Sequence, residues 1–227
     1  MKLTGITQLD ELINPLRKDW IVEFYGEPGI VLPIMHYTLA YRSSNDTVYV
    51  VLNIEFGGID TLYLVKLCRI FNCRLDNILI SRSFNLDTTI SILEELLNVS
   101  NSLIILVYPY NYLPKDPVKY SEATRITGII NKISFSNQVL LFNTISKHGY
   151  YRPEGGSLHH HLVKVIVKLT TRGKLIVADL VKHPVKQPCR RMFSEKTIEH
   201  PVPKQIQKNI VDWLVSKKQL LVETVKQ

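Results

Sequence analysis

The run Trp20–Tyr25 is apolar, β-branched and aromatic, and it ends at Gly26-Glu27-Pro28-Gly29-Ile30-Val31-Leu32-Pro33. A strand entering a glycine-bearing turn and then a helix is where α/β nucleotide-binding proteins hold phosphates. That chemistry uses the pattern G-x-x-x-x-G-K-[ST]. Its glycines let backbone N–H groups close round the phosphates, its lysine reaches the β/γ oxygens and its hydroxyl binds Mg²⁺. Here Gly26 fills the first position, but Val31 stands for the second glycine, Leu32 for the lysine and Pro33 for the hydroxyl residue. Taken alone, Gly26-Glu27-Pro28-Gly29 is equally a plain turn.

Other residue sets bear on chemistry. Lys147, His148, Tyr150, Tyr151 and Arg152 sit in the polar, Gly-bearing stretch Ser146–Gly156. Cations mixed with tyrosines neutralise phosphates and stack on unpaired bases; the same stretch also fits a polar connection whose tyrosines pack on the sheet. Pro114–Tyr120 is a less basic loop of the same kind. Lys164, Lys168 and Lys174 read as a basic track or as solvated edge-strand lysines. His159-His160-His161 is not a metal motif, because consecutive side chains diverge on a helix or a strand. Cys68, Cys73 and Cys189 lack Cys-x-x-Cys spacing and read as buried structural thiols of a reducing cytosol.

The elements that must position these groups alternate. Strands are expected over Trp20–Tyr25, Thr47–Ile54, Asn77–Ser81, Ser102–Tyr108 and Val139–Asn143, the second of them covered on both faces. Helices are expected over Leu32–Tyr41, with Pro33 in the first turn, and over Thr61–Phe71, Asp87–Asn98 and Ser121–Ser134. Leu162–Leu169 and Lys174–Val181 flank Thr171-Arg172-Gly173 as an antiparallel hairpin. This alternation predicts an α/β fold: a mostly parallel central sheet with helices on both faces and the hairpin at one edge. Residues 1–200 form one core domain, and 201–227, with Ile206, Ile210, Trp213, Leu214 and Leu221, an added amphipathic C-terminal helix.

Charge is split along the chain. Residues 1–146 carry 12 Lys/Arg against 14 Asp/Glu, whereas 147–227 carry 16 against 6 and six of the seven histidines. A basic last third suits a polyanion such as nucleic acid, or simply a solvated face. The apolar content, 45% of the chain, excludes a disordered protein. Runs such as Leu103–Val107 fall far short of the about 18 apolar residues of a spanning helix, and the N-terminus has no hydrophobic signal region. The expected location is the cytoplasm.

Several segments together carry a resemblance. Thr4-Gly5-Ile6, Leu9-Asp10-Glu11-Leu12 and Ile21–Gly29 resemble the opening of the ATPase core of archaeal RadA and RadB recombinases, members of the RecA superfamily. Val48–Glu55, Asn77–Leu86, Ser102–Tyr108, Leu140–Thr144, Arg152–Gly156 and the hairpin with Lys182-His183-Pro184 are similar to later family segments in the same order, over roughly residues 3–195. The helical N-terminal domain of full-length RadA and its tethering linker have no counterpart, as in a short paralog.

The resemblance implies a RecA-like fold and assigns roles. Glu55 matches the water-activating carboxylate, Val107 falls at the Mg²⁺-binding Asp, and Thr144 at a γ-phosphate-sensing Gln. Lys147 to Arg152, with Gly155 and Gly156, match the second DNA-binding loop, and Pro114–Tyr120 the first. Lys182 and His183 fall where family members cap a neighbouring subunit's ATP. With the phosphate cation, metal hydroxyl and metal carboxylate all replaced, Glu55 is a relic with no reaction to assist. The expectation is a non-catalytic paralog without a cofactor, which binds single-stranded DNA or a RadA-type recombinase and modulates recombination and repair. The alternatives are a weak or unusual NTPase, and a protein-interaction module without DNA affinity.

Overall fold

In the computed structural model of the protein, residues 2–114, 121–146 and 151–199 are described. In chain order they form α1 (Thr7–Ile13), β1 (Val22–Gly26), α2 (Pro28–Arg42), β2 (Val48–Leu52), α3 (Thr61–Phe71), β3 (Ile78–Arg82), α4 (Leu86–Glu95) and β4 (Leu103–Val107). Then follow α5 (Ser121–Ser136), β5 (Gln138–Asn143), α6 (Gly156–Leu162), β6 (Val165–Arg172), β7 (Leu175–Lys182), β8 (Arg190–Ser194) and α7 (Lys196–Glu199). The expected C-terminal helix and the loops at 115–120 and 147–150 lie outside the described residues.

The strands make one eight-stranded sheet in the order β3-β2-β4-β5-β1-β6-β7-β8. Pairings from β3 to β6 are parallel, and β6-β7-β8 are antiparallel. Alternate residues of each strand face opposite sides, so β1 feeds two cores. Val22 and Phe24 belong to the core that includes residues of α1, α2, α3 and α7, whereas Ile21 and Tyr25 belong to the one that includes residues of α4 and α5. Burial on both faces explains why β1, β4 and β5 are near-continuous apolar runs.

Three expectations change. Helix α2 starts at Pro28 rather than Leu32, because Pro28 takes the first helical position, where a missing N–H costs nothing. Pro33 then lies inside the helix, and the carbonyl it leaves free belongs to exposed Gly29. The second change concerns the cysteines. Asn72 ends α3 in the left-handed conformation (φ 53°) and turns the chain back, so Cys73 N–H bonds the Cys68 carbonyl. Cys68 and Cys73 form a disulfide with Cα atoms 4.6 Å apart, and Cys189 is exposed; they are not three buried thiols. Third, β6 lies between β1 and β7, so Lys164 and Lys168 are not on an edge; the edge is β8.

The Thr4-Gly5-Ile6 and Asp10 segment is a structural clasp. Buried Asp10 accepts from the amides of Leu3, Thr4 and Gly5 and from Thr4 Oγ1, which anchors the N-terminal strap to α1. Among the described residues no helix is long and apolar enough to cross a membrane.

Candidate functional site

In a parallel α/β sheet ligands sit beyond the C-terminal strand ends, which here are the ends of β1, β2, β4 and β5. Glu27 alone separates β1 from α2, so no phosphate-sized loop stands between them. A helix start attracts anions through its free first-turn amides. Here Pro28 has no N–H, and the Ile30 and Val31 amides both bond the Glu27 carbonyl. Val31 is fully buried and Leu32 packs against the same core, while Glu27, Pro28 and Gly29 are exposed. Pro33 is half-buried in the helix. Gly26 is needed for packing: a Cβ there would lie 2.4 Å from the Leu169 carbonyl oxygen.

The neighbouring strand ends are equally closed. Val107 is fully buried, and its carbonyl accepts from both the backbone and the side-chain amide of Asn53. Asn53 Oδ1 in turn accepts from Ser83 Oγ and Thr89 Oγ1. Glu55 is exposed in the loop after β2, and Arg82 clamps that loop by donating to the carbonyls of Ile54, Glu55 and Gly57. Thr144 donates its amide to Asn143 Oδ1 and accepts from Glu154 N–H. Among the described residues, Val31, Leu32, Pro33 and Val107 bring no cationic, hydroxyl or carboxylate side chain to these strand ends, so these four positions do not fit Mg²⁺ with a nucleoside triphosphate; Glu27 and Glu55 are exposed carboxylates there. A cavity of about 520 Å³ opens at the other end of the sheet, beside Arg42, Ser102 and Gln138.

The second loop leaves β5 and returns at α6. Ile145 and Pro153 form a bridge across its root, and Ser146 N–H donates to the Arg152 carbonyl. Lys147, His148 and Tyr150 lie outside the described residues. Tyr151 is 80% exposed; its carbonyl accepts from Tyr25 OH, and Lys168 Nζ stands 4.7 Å from its ring centroid. Arg152 is exposed. Burial, then the charges of Lys182 and Arg152, hold the His160 imidazole below its ordinary range. Burial, then Lys164, lowers Lys182 likewise. Arg152 and Lys182 thus both act on His160 of α6, and Lys168 stands beside Tyr151 on the arm that leads into that helix.

Lys182 and His183 have partners within the chain. Lys182 Nζ caps α6 by donating to the carbonyls of His160 and His161, a favourable place for a cation at a helix C-terminus. His183 Nε2 bonds the Ile13 carbonyl, and its Nδ1 accepts from the amides of Val185 and Lys186.

One group of residues has no counterpart in the sequence reading. Glu23 of β1, His159 of α6 and Tyr110 are buried together. Glu23 Oε1 accepts from His159 Nε2 and from Asn143 Nδ2, each at 2.8 Å. The other nitrogen, His159 Nδ1, bonds Tyr110 OH at 2.8 Å, and that hydroxyl also meets Thr127 Oγ1. Gly155 (φ 127°) and Gly156 (φ 81°) turn the chain into α6 over this group. A Cβ on Gly155 would meet Tyr110 Cε2 at 2.7 Å and His159 Cγ at 2.8 Å. Among the three histidines, only His159 is buried; His160 is half-buried and His161 exposed.

The sheet order, the crossovers and the antiparallel end define a RecA-like α/β fold. A solved structure described as the RadB recombinase matches the chain with a TM-score of 0.67 at 17% identity, over 86% of this chain and 96% of that one. Likeness at this identity speaks for the fold. No family model matches the sequence, and no curated protein matches it.

Proposed function

We propose that this chain is a non-catalytic RecA-fold protein that contacts single-stranded DNA and a recombinase partner, and that it modulates recombination without hydrolysing ATP. The observation that carries the reading is the junction of β1 and α2, where one residue, Glu27, stands in the space a phosphate loop needs and Val31 is core. Phosphoryl transfer depends on positioning and electrostatic stabilisation, and among the described residues Val31, Leu32, Pro33 and Val107 supply no charged group for it, which supports the reading.

DNA contact is supported by the other loop. Arg152 is exposed on the arm by which the second loop returns, and beside it Tyr151 presents an exposed ring with Lys168 Nζ 4.7 Å from its centroid. Cations that follow a backbone beside an aromatic platform suit unpaired nucleic acid. A protein partner is favoured by the opposite edge. Among the described residues β3 is an edge strand paired on one side, and Leu79 and Ile80 on it are 44% and 46% exposed, with Leu75 and Phe84 exposed beside the strand. An uncovered apolar edge invites an added strand.

The test is a titration of labelled oligothymidylate at two salt concentrations, with and without a RadA-type recombinase. Salt-sensitive binding that weakens on Arg152→Ala, or a shift in the recombinase's own DNA binding, supports the reading. Absence of both sinks it, and Mg²⁺-dependent ATP hydrolysis lost on Glu55→Gln replaces it with an NTPase.

A further inference from the structure

Four chain segments that lead into or out of the two loops are joined by one run of hydrogen bonds that ends at a buried carboxylate, Glu23. β5 ends on Asn143, whose side-chain amide donates both to Glu23 Oε1 and to the Glu154 carbonyl, on the returning arm of the second loop. α6, which receives that arm, reaches the same oxygen through His159. The first loop leaves β4 through Tyr108, whose amide bonds the Phe142 carbonyl of β5, and Tyr110, whose hydroxyl bonds His159. It returns at α5, where Thr127 completes the chain from Tyr110. Burial drives the Tyr110 phenol far above its ordinary range, so it serves as a neutral hydrogen-bonding group. A buried network of this kind holds its members together, since losing one partner leaves the rest desolvated and unpaired.

We infer that Glu23, His159 and Tyr110 are positioning residues that make the roots of the two loops, residues 108–113 and 151–162, one cooperative unit, so that a strand held at one root steadies the other. The inference rests on the nucleic-acid reading for its ligand, but not for its geometry. The side chains lie in three separate elements, and Gly155, with no Cβ, lets the second loop turn directly against Tyr110 and His159. Neither root can move far without breaking a bond to the other.

Native-state hydrogen exchange under low denaturant tests this on the unmodified protein. Segments that open together share one opening free energy and one denaturant dependence. Residues 108–113 and 151–162 are expected to behave as such a pair. Tyr110→Phe, which keeps the ring and removes only the hydroxyl, is expected to speed exchange in 151–162 by about tenfold, the factor for the loss of about 1.4 kcal/mol. His159→Gln is expected to do the same in 108–113. Separate opening free energies in the unmodified chain, or acceleration confined to the substituted segment, overturn the inference. Adding oligothymidylate separates the two questions. Protection of both roots supports coupling by ligand. Protection of one root alone overturns it. Coupled opening that no oligonucleotide affects leaves the anchor in place and removes the nucleic-acid reading.

Discussion

His36 and Asp60 are joined across two helices: His36 Nε2 accepts the Asp60 amide hydrogen at 2.8 Å. Its Nδ1 must then carry the proton and donate to the Leu32 carbonyl at 2.7 Å. Asp60 is the N-cap of α3, where its carboxylate accepts from Tyr63 N–H. One imidazole thus ties the middle of α2 to the start of α3, and it does so only when neutral.

Burial holds the His36 pKa below its ordinary value of 6.5, against smaller opposing effects of the Leu32 carbonyl and Asp60. Below pH 6.5 the unfolded chain therefore binds this proton before the folded one does. Stability from this group is complete above that pH and falls as the pH drops toward the depressed folded value. Melting temperatures of the unmodified protein are expected to decline from pH 7 to pH 5 more steeply than those of His36→Gln. Parallel declines would assign the loss to other groups.

Rebuilding the phosphate motif is expected to damage the fold rather than restore activity. Val31→Gly removes a fully buried side chain and puts glycine in a helix, for a loss of roughly 3 kcal/mol. The unmodified chain is expected to show no thermal shift with excess Mg-ATP, whereas a ligand at a hundred times its dissociation constant adds about 2.7 kcal/mol. Chemical denaturation and thermal-shift measurements check the two statements.

Arg152→Ala and Lys168→Ala are each expected to weaken oligothymidylate binding and to lower the slope of log K against log salt by about 0.7, the value for one phosphate contact on a single strand. Tyr151→Ala is expected to cost about 1–3 kcal/mol with little change in slope, as lost stacking does. Binding isotherms at several salt concentrations separate the two kinds of loss.

Gly155→Ala is expected to destabilise the protein by about 1–3 kcal/mol, since φ is 127° and the new methyl group meets two rings. Gly29→Ala has open space and an ordinary helical position, so it is expected to be neutral or slightly stabilising. Urea unfolding of the two variants makes the comparison.

The parts of the fold legible in sequence are those governed by local rules. Thr61–Phe71 emerges with the same bounds in sequence and structure, because Asp60 caps its start and Asn72 its end. β2, β4 and β5 stand out as buried apolar runs, which fix the sheet and its alternation with helices. Helix α1 is too short for a period to show, α6 follows a glycine pair and is mostly histidine, and β8 is an exposed, basic edge strand. The start of α2 was obscured by Pro33, since Pro28 serves the same helix-starting role earlier. The Glu23 group is illegible for another reason: its hydrogen bonds to Asn143 and His159 span 120 and 136 residues. An acid in an apolar strand gives no hint of partners so remote.

The single residue between β1 and α2 also bears on timing. Glu23 and Gly26 share β1, so the carboxylate at the loop roots sits on the strand that passes into α2 through Glu27 alone. In the proposed role, this subunit's grip on a strand is set once, when the chain folds. The grip would be a property of the fold itself, the same before and after a strand is met.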